Sequence, residues 1–428
     1  MSARGSIFRY AGWSFEAHDV VCSYDLDGRG FTERITLPDG PGHGSAALAQ
    51  VARLLFLLAG VSYYKTAAPA TVDLDDTAVT DADRALLQAF YRDGLGEFAY
   101  VNGLDLSHIS FVGGAEPLVA APYDGDTERP LIPFGGGIDS VVVAETVRAR
   151  HPQAALFVLG SYEAIDGPLA VTGLPVLRAG RTLDPQVLAR DPAFLNGHVP
   201  VTGILSLVAL AAAVVDGRGA VVMSNEHSAS EATVAGVNHQ WSKSMAFERL
   251  LRASLAEAVP GLGYFSLLRA RSELWVARRF ALLPAYHPVF RSCNRAFHLD
   301  PARRLGQWCG ECDKCCFIDL ILAPYLARTE LEAVFHGREP LGRTDLLPQF
   351  RSLLGDAEIA KPFECVGDVD ECRTAVVLAA ARGDRQGQPV LSALAEYVDG
   401  GAPSEDSLLR PLGVDFVPGD YAQADLPV

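Results

Sequence analysis

Six consecutive residues, Gly135-Gly136-Gly137-Ile138-Asp139-Ser140, have the chemistry of a phosphate cradle. Three glycines let the backbone turn tightly and present N–H groups inward. The spacing predicts a short strand over Leu131–Phe134 before them and a helix from about Ser140 to Arg150 after them. Such a helix adds its positive N-terminal end to the cradle. Ser140 can donate a hydroxyl to a phosphate, and Asp139 can hold Mg²⁺ or orient the loop. No Lys follows the glycines, unlike the Gly-Lys-Ser/Thr loop of γ-phosphate-cleaving NTPases. The expected ligand is ATP, held by Gly135, Gly136, Gly137, Asp139 and Ser140. The expected chemistry is attack at the α-phosphate with release of pyrophosphate.

A second cluster is built of sulfur. Seven of the eight cysteines lie between residues 293 and 372. Cys293, then Cys309-Gly-Glu-Cys312-Asp-Lys-Cys315-Cys316, gives two Cys-x-x-Cys pairs and one Cys upstream. Tetrahedral zinc needs four such ligands. Cys293, Cys309, Cys312 and Cys315 make a closed, structural set, and Cys316 is left over. An iron–sulfur cluster and free buried thiols are the other uses of this pattern.

A third group is polar: Ser224-Asn225-Glu226-His227-Ser228, followed by Asn238-His239-Gln240-Trp241-Ser242-Lys243. It follows an expected strand, Ala220–Ser224. Open α/β sheets bind ligands at the carboxyl ends of their strands. Lys243 is one of only four lysines, with Lys65, Lys314 and Lys361, among 36 basic residues. A Lys in such a background marks a place where Arg, which keeps its proton, does not serve.

The glycine loop resembles the Ser-Gly-Gly-x-Asp-Ser loop of the PP-loop ATP pyrophosphatases, with Gly135 in the place of Ser. The sulfur set resembles the zinc site of 7-cyano-7-deazaguanine synthase, another PP-loop enzyme. Over nearly its whole length the chain resembles the UDP-N-acetyl-muramoyl-L-alanyl-L-glutamate epimerase family. That likeness rests on the polar motif, Leu58-Ala-Gly-Val-Ser-Tyr-Tyr-Lys65, Gly96-Glu97-Phe98-Ala99-Tyr100, Cys309–Cys315 and Lys361-Pro-Phe-Glu-Cys365. The resemblance implies a peptidoglycan-precursor isomerase that uses ATP and Mg²⁺. It turns the terminal L-Glu of a UDP-muramoyl dipeptide into D-Glu.

The implied chemistry is coherent. A carboxylate makes the adjacent Cα–H a poor acid, and adenylation removes that charge. A base can then take the proton, an acid can return it on the other face, and water hydrolyses the acyl-adenylate. Inversion needs two groups or one mobile group. Glu226, His239, Lys243 and Cys365 are the leading candidates, with Asp139 at the loop; His227, Lys65 and Cys316 are further ones. Tyr64, Lys65, Glu97, Asn225 and His227 are expected to bind substrate. Arg249, Arg269, Arg271 and Arg291 are the cations available for its anionic groups. A PP-loop ligase that amidates a carboxylic acid, and a non-catalytic nucleotide-binding protein, are the competing readings.

These groups need a scaffold. The fold class expected is α/β: a doubly wound parallel sheet of PP-loop type, with an N-terminal α+β region and a cysteine-rich zinc subdomain. The expected divisions are 1–125, an α+β region covering the substrate; 126–290, the ATP-binding domain; 291–330, the zinc segment; and 331–428, a mainly helical region. Hydrophobic residues form 49 % of the 428-residue chain, enough for a sizeable core. The net charge of −16 argues against nucleic-acid binding. No signal-like start is visible, and the apolar runs Leu54–Val61 and Val201–Val215 are too short to span a bilayer. A cytoplasmic protein with no membrane partner is expected.

Overall fold

The computed structural model describes residues 4–422 except 116–117, 190, 232–235, 299, 360–361 and 399–400. Ten strands form one sheet. They are β1 (Ile7–Glu16), β2 (Asp19–Leu26), β3 (Arg29–Thr36), β4 (Thr71–Asp73), β5 (Ser110–Val112), β6 (Leu131–Pro133), β7 (Ala155–Leu159), β8 (Val176–Thr182), β9 (Ala220–Met223) and β10 (Gly263–Ser266). Their order is β10-β9-β6-β7-β8-β3-β2-β1-β4-β5. The five strands from β10 to β8 run parallel. β1, β2 and β3 form an antiparallel meander.

The parallel half is covered on both faces, and its strands show why. Leu131, Ala155, Phe157, Val221 and Met223 point into one core, with helices Ala46–Ala59 and Val201–Val215. Ile132, Leu156, Val158, Ala220 and Val222 point into the other, with helices Ile138–Arg148, Glu273–Ala281 and Asp313–Leu322. Successive strand residues face opposite sides, so a strand apolar at every position must be buried twice.

The N-terminal strands are joined to the parallel half through β3 and β8, with Ile35 opposite Arg181. At this seam Arg181 Nε donates to Glu33 Oε1 at 2.7 Å, and Nη2 donates to Ser62 Oγ at 2.9 Å. Glu33 is fully buried. Removing one partner of a buried pair strands the other charge. Glu33→Ala is therefore expected to lower unfolding free energy by about 3–5 kcal/mol, read by urea denaturation; a loss below about 1 kcal/mol would match only an exposed pair.

Helix Ala46–Ala59 is capped by Ser45, whose side chain accepts from Leu48 N–H. It runs on through Gly60 into Val61–Tyr64, and the 19-residue segment Ala46–Tyr64 is long and apolar enough to cross a membrane. It is mostly buried inside the fold, which accounts for its apolar surface. Gly60 is required by close approach: a Cβ there would stand 2.8 Å from the Tyr10 hydroxyl. Helix Val201–Val215 begins directly after Pro200. Residues 410–421 are strapped down: Leu412 N–H donates to Ala270 O, and Tyr421 stacks on His151.

Candidate functional site

With β6 as its first strand, the parallel half has the order 3-2-1-4-5, so the winding reverses between β6 and β9. A crevice opens at the carboxyl ends of strands at such a point. The glycine loop follows β6, and Ser224-Asn225-Glu226 follows β9, so both polar segments are delivered there.

The loop turns through Gly136 at φ 73°, a left-handed conformation that favours glycine. Gly137 is the N-cap of helix Ile138–Arg148, and Asp139 and Ser140 stand in its first turn. A Cβ on Gly137 would be 2.7 Å from Ser292 Oγ, so the loop lies directly against the start of the cysteine segment. Ser140 Oγ donates back to Gly137 O at 3.1 Å.

Two cavities meet at this loop. The larger, about 510 Å³, runs along the strand ends and is lined by Phe157, Leu159, Tyr162, Leu205, Asn225 and others. The smaller, about 270 Å³, is lined by Glu226, Lys243, Glu273, Arg291, Lys314, Cys365 and others. Gly135, Asp139, Ser224, Glu226, Lys243 and Phe297 line both.

Asp139 Oδ1 is buried with no hydrogen-bond partner. Burial and the Glu226 charge push its carboxyl up to about 6, against the pull of Lys314, Lys243 and a hydrogen bond with Glu273. Glu273 stands well above the carboxylate range, through burial and the neighbouring Asp139 and Glu226. Its Oε2 also lacks a partner, and its N–H donates to Glu371 Oε1. An orphaned carboxylate oxygen beside the glycine loop has the chemistry to hold a divalent cation.

A pH dependence follows. Folded Asp139 holds its proton to higher pH than in the unfolded chain, so its contribution to stability is lost as pH rises from about 4 to 6. Asp139→Asn should therefore stabilise the ligand-free protein at pH 8 and not at pH 4, in thermal melts. It should also abolish the gain in Mg²⁺ affinity between pH 5 and 7 that the wild type is expected to show. Equal pH dependence in both proteins would refute the role.

Lys243 lies in the turn Trp241–Lys243, and its ammonium donates to Cys365 Sγ at 3.1 Å. Burial works against its charge, but Cys365, Glu226 and Asp139 outweigh it and hold the group above the ordinary lysine value. Lys314 donates to the Cys365 carbonyl from helix Asp313–Leu322. Two of the four lysines thus grip one cysteine; Lys361 lies outside the described residues. Arg269 sets the backbone of this wall. It donates to Glu226 O at 3.1 Å and Lys243 O at 2.6 Å, and it pairs with Glu248 at 2.9 Å.

The sulfurs of Cys293, Cys309, Cys312 and Cys315 all lie within 4.8 Å of one another. Four Zn–S bonds of about 2.3 Å in a tetrahedron need sulfurs about 3.8 Å apart, so the set fits a structural metal. Gly310 at φ 70° makes the turn between Cys309 and Cys312. Cys316 is fully buried and apart from the set. The knot joins the arm carrying Arg291, Ser292 and Asn294 to the helix carrying Lys314, all four of which line the smaller cavity.

Other candidates fall elsewhere. The Tyr64 hydroxyl donates to Pro69 O at 2.9 Å inside the N-terminal core, so it does not reach the cavity. His227 turns toward the C-terminal strap, where its ring faces Gly413. His239 is buried outside both cavity walls, near His198 and Phe363. Lys65 donates to Gly197 O at 3.0 Å, and Glu97 stands 4.0 Å from His198. Burial, Lys243 and Lys65 push His198 down to about 4. Glu97 is raised by burial and by the charge of Glu364, a cavity residue, so Lys65, Glu97 and His198 flank the site. Sequence reasoning missed Glu273, Glu364 and His198. Glu273 had no motif, although Ser272 ahead of it is a helix cap.

The profile of the MurL N-terminal domain matches residues 1–267, and that of the MurL C-terminal domain matches residues 289–408. The chain belongs to the MurL family. Its curated relatives include proteins named UDP-N-acetyl-alpha-D-muramoyl-L-alanyl-L-glutamate epimerase. The one from Salinispora tropica is 40 % identical, over 98 % of this chain and 96 % of the relative. The one from Xanthomonas oryzae pv. oryzae is 38 % identical, over 95 % and 93 %. The one from a Micromonospora species is 40 % identical, over 98 % of both. No solved structure matches the chain. The two MurL regions meet between β10 and Cys293, so the smaller cavity takes walls from both: Asp139, Glu226 and Lys243 from one, Arg291, Lys314 and Cys365 from the other.

Proposed function

We propose that the chain is a cytoplasmic, ATP-dependent epimerase that inverts the terminal glutamyl Cα of UDP-N-acetylmuramoyl-L-alanyl-L-glutamate in peptidoglycan precursor synthesis. Family membership supports the reaction and substrate. The loop chemistry supports the use of ATP. The larger cavity is roomy and largely apolar in lining, as a purine needs. Gly135, Gly136, Gly137 and Ser140 would hold the phosphates, and Asp139 would hold Mg²⁺. ATP supplies activation of the α-carboxylate as an acyl-adenylate, which makes the adjacent Cα–H acidic.

The chain's own groups then move the proton. Cys365 is the base on one face. A cysteine acts as a base through its thiolate, and the Lys243 ammonium holds this sulfur in the cavity wall at 3.1 Å. The proton passes from Cα to Sγ. Glu226, on the adjoining wall, relays a proton from water to the opposite face, and exchange with solvent returns the proton held by Cys365. Water hydrolyses the adenylate, so the net change is inversion with ATP converted to AMP and pyrophosphate.

The observation that carries this reading is the Lys243–Cys365 contact in the wall shared with the glycine loop. The test is incubation of the protein with ATP, Mg²⁺ and the L,L-dipeptide substrate in D₂O. AMP, D-Glu after acid hydrolysis and one deuterium at Cα are expected. A product gaining the mass of an amine, only when ammonia is present, would make the enzyme a ligase instead.

A further inference from the structure

Three cations line the smaller cavity, and two are already engaged. Lys243 donates to Cys365 Sγ, and Lys314 donates to the Cys365 carbonyl. The third, Arg291, is half-buried and makes no ion pair, hydrogen bond or ring contact among the described residues. A guanidinium presents its donors as a fixed fork that suits two oxygens of one carboxylate or phosphate. Removing such a group part-way from water without a partner is unfavourable, and an arriving anion offsets that.

The neighbouring residues hold this arginine in place. Arg291 stands two residues before Cys293 of the four-sulfur knot. Ser292, between them, abuts Gly137 of the glycine loop. The other arginines of the region serve elsewhere. Arg269 is 2 % exposed and spends its donors on Glu248, Glu226 and Lys243. Arg271 lies over the Trp275 ring at 4.9 Å, lining a separate cavity under the C-terminal strap. Arg249 is exposed on helix Met245–Ala258.

We propose that Arg291 is the specificity-determining residue that grips an anionic end of a substrate through two oxygens. That end is the side-chain carboxylate of the glutamyl residue or a phosphate of the nucleotide. The proposal rests on the epimerase reading above and adds the group that recognises charge.

Calorimetric titration tests it on the full-length protein without turnover. The ligands are a Mg²⁺ complex of a non-hydrolysable ATP analogue, the L,L-dipeptide substrate, and its glutaminyl counterpart. The proteins are wild type, Arg291→Gln, Arg291→Lys and the exposed control Arg249→Gln. Arg291→Gln should weaken one ligand at least tenfold, Arg291→Lys should recover only part of that, and Arg249→Gln should change nothing. Weakened dipeptide binding, with lost preference for glutamyl over glutaminyl, assigns Arg291 to the carboxylate. Weakened nucleotide binding alone assigns it to phosphate. Dissociation constants within twofold of wild type for all ligands overturn the proposal. If wild type itself binds neither nucleotide nor dipeptide, the epimerase reading fails, and it fails before any variant is compared.

Discussion

Cys365→Ala is expected to lower the rate of glutamyl inversion about 10²–10⁴-fold while leaving nucleotide affinity within a few-fold of wild type. The thiol is one of the proton-moving groups of the proposed reaction and takes no part in holding the phosphates. Activation of the carboxylate should continue without it. The variant is therefore expected to release AMP while the glutamate stays L and its α-hydrogen stays protium in D₂O. Cys365→Ser should behave alike, because a hydroxyl is a far weaker base than a thiolate at neutral pH. Lys243→Met removes the ammonium 3.1 Å from the sulfur. It should slow inversion too, by removing the group that holds the sulfur in the cavity wall. Retention of more than a tenth of wild-type inversion by Cys365→Ala would remove this residue from the mechanism.

Loss of the metal knot is expected to have the other large effect. Elemental analysis of the purified protein should find one zinc per chain; visible absorption with iron would identify an iron–sulfur cluster instead. Cys309→Ser and Cys312→Ser should lose the metal and about 4–5 kcal/mol of stability, the range reached when a metal site is destroyed. Global unfolding is not expected, because helix Asp313–Leu322 is also held by an apolar core that includes Phe317, Ile318, Leu320 and Ile321. The damage should spread to the cavity. Arg291, Ser292 and Asn294 leave the knot on one arm and Lys314 leaves it on the other, so substrate affinity should fall with metal content. Metal-free variants with wild-type melting temperature and affinity would leave the four sulfurs without this role.

The two MurL regions build one cavity together, and its lining groups are therefore spread along the chain. Asp139, Glu226, Lys243, Arg291, Lys314 and Cys365 come from separate segments and meet in one wall system. The Lys243–Cys365 contact spans 122 positions of sequence.

The sequence by itself determined what depends on short spacing. Glycines followed by Asp139-Ser140 define a strand–loop–helix cradle, because backbone freedom and helix polarity act within a few residues. The cysteine spacing defined the four-sulfur set, since each Cys-x-x-Cys turn brings two ligands together locally. The antiparallel meander and the apolar helix at Ala46–Ala59 likewise follow local periodicity. Only the tertiary structure decided which long-range partners meet. β4, β5 and β10 are short strands, β8 is longer but only partly buried, and their places come from pairing with neighbours. Tyr64 and Cys316 have reactive side chains, yet packing buries both away from the cavity. Four arginines were equivalent by residue type. Partners and position separated them: Arg269 and Arg271 are engaged by their own chain, Arg249 is exposed outside the cavity, and Arg291 lines the cavity with no such partner among the described residues.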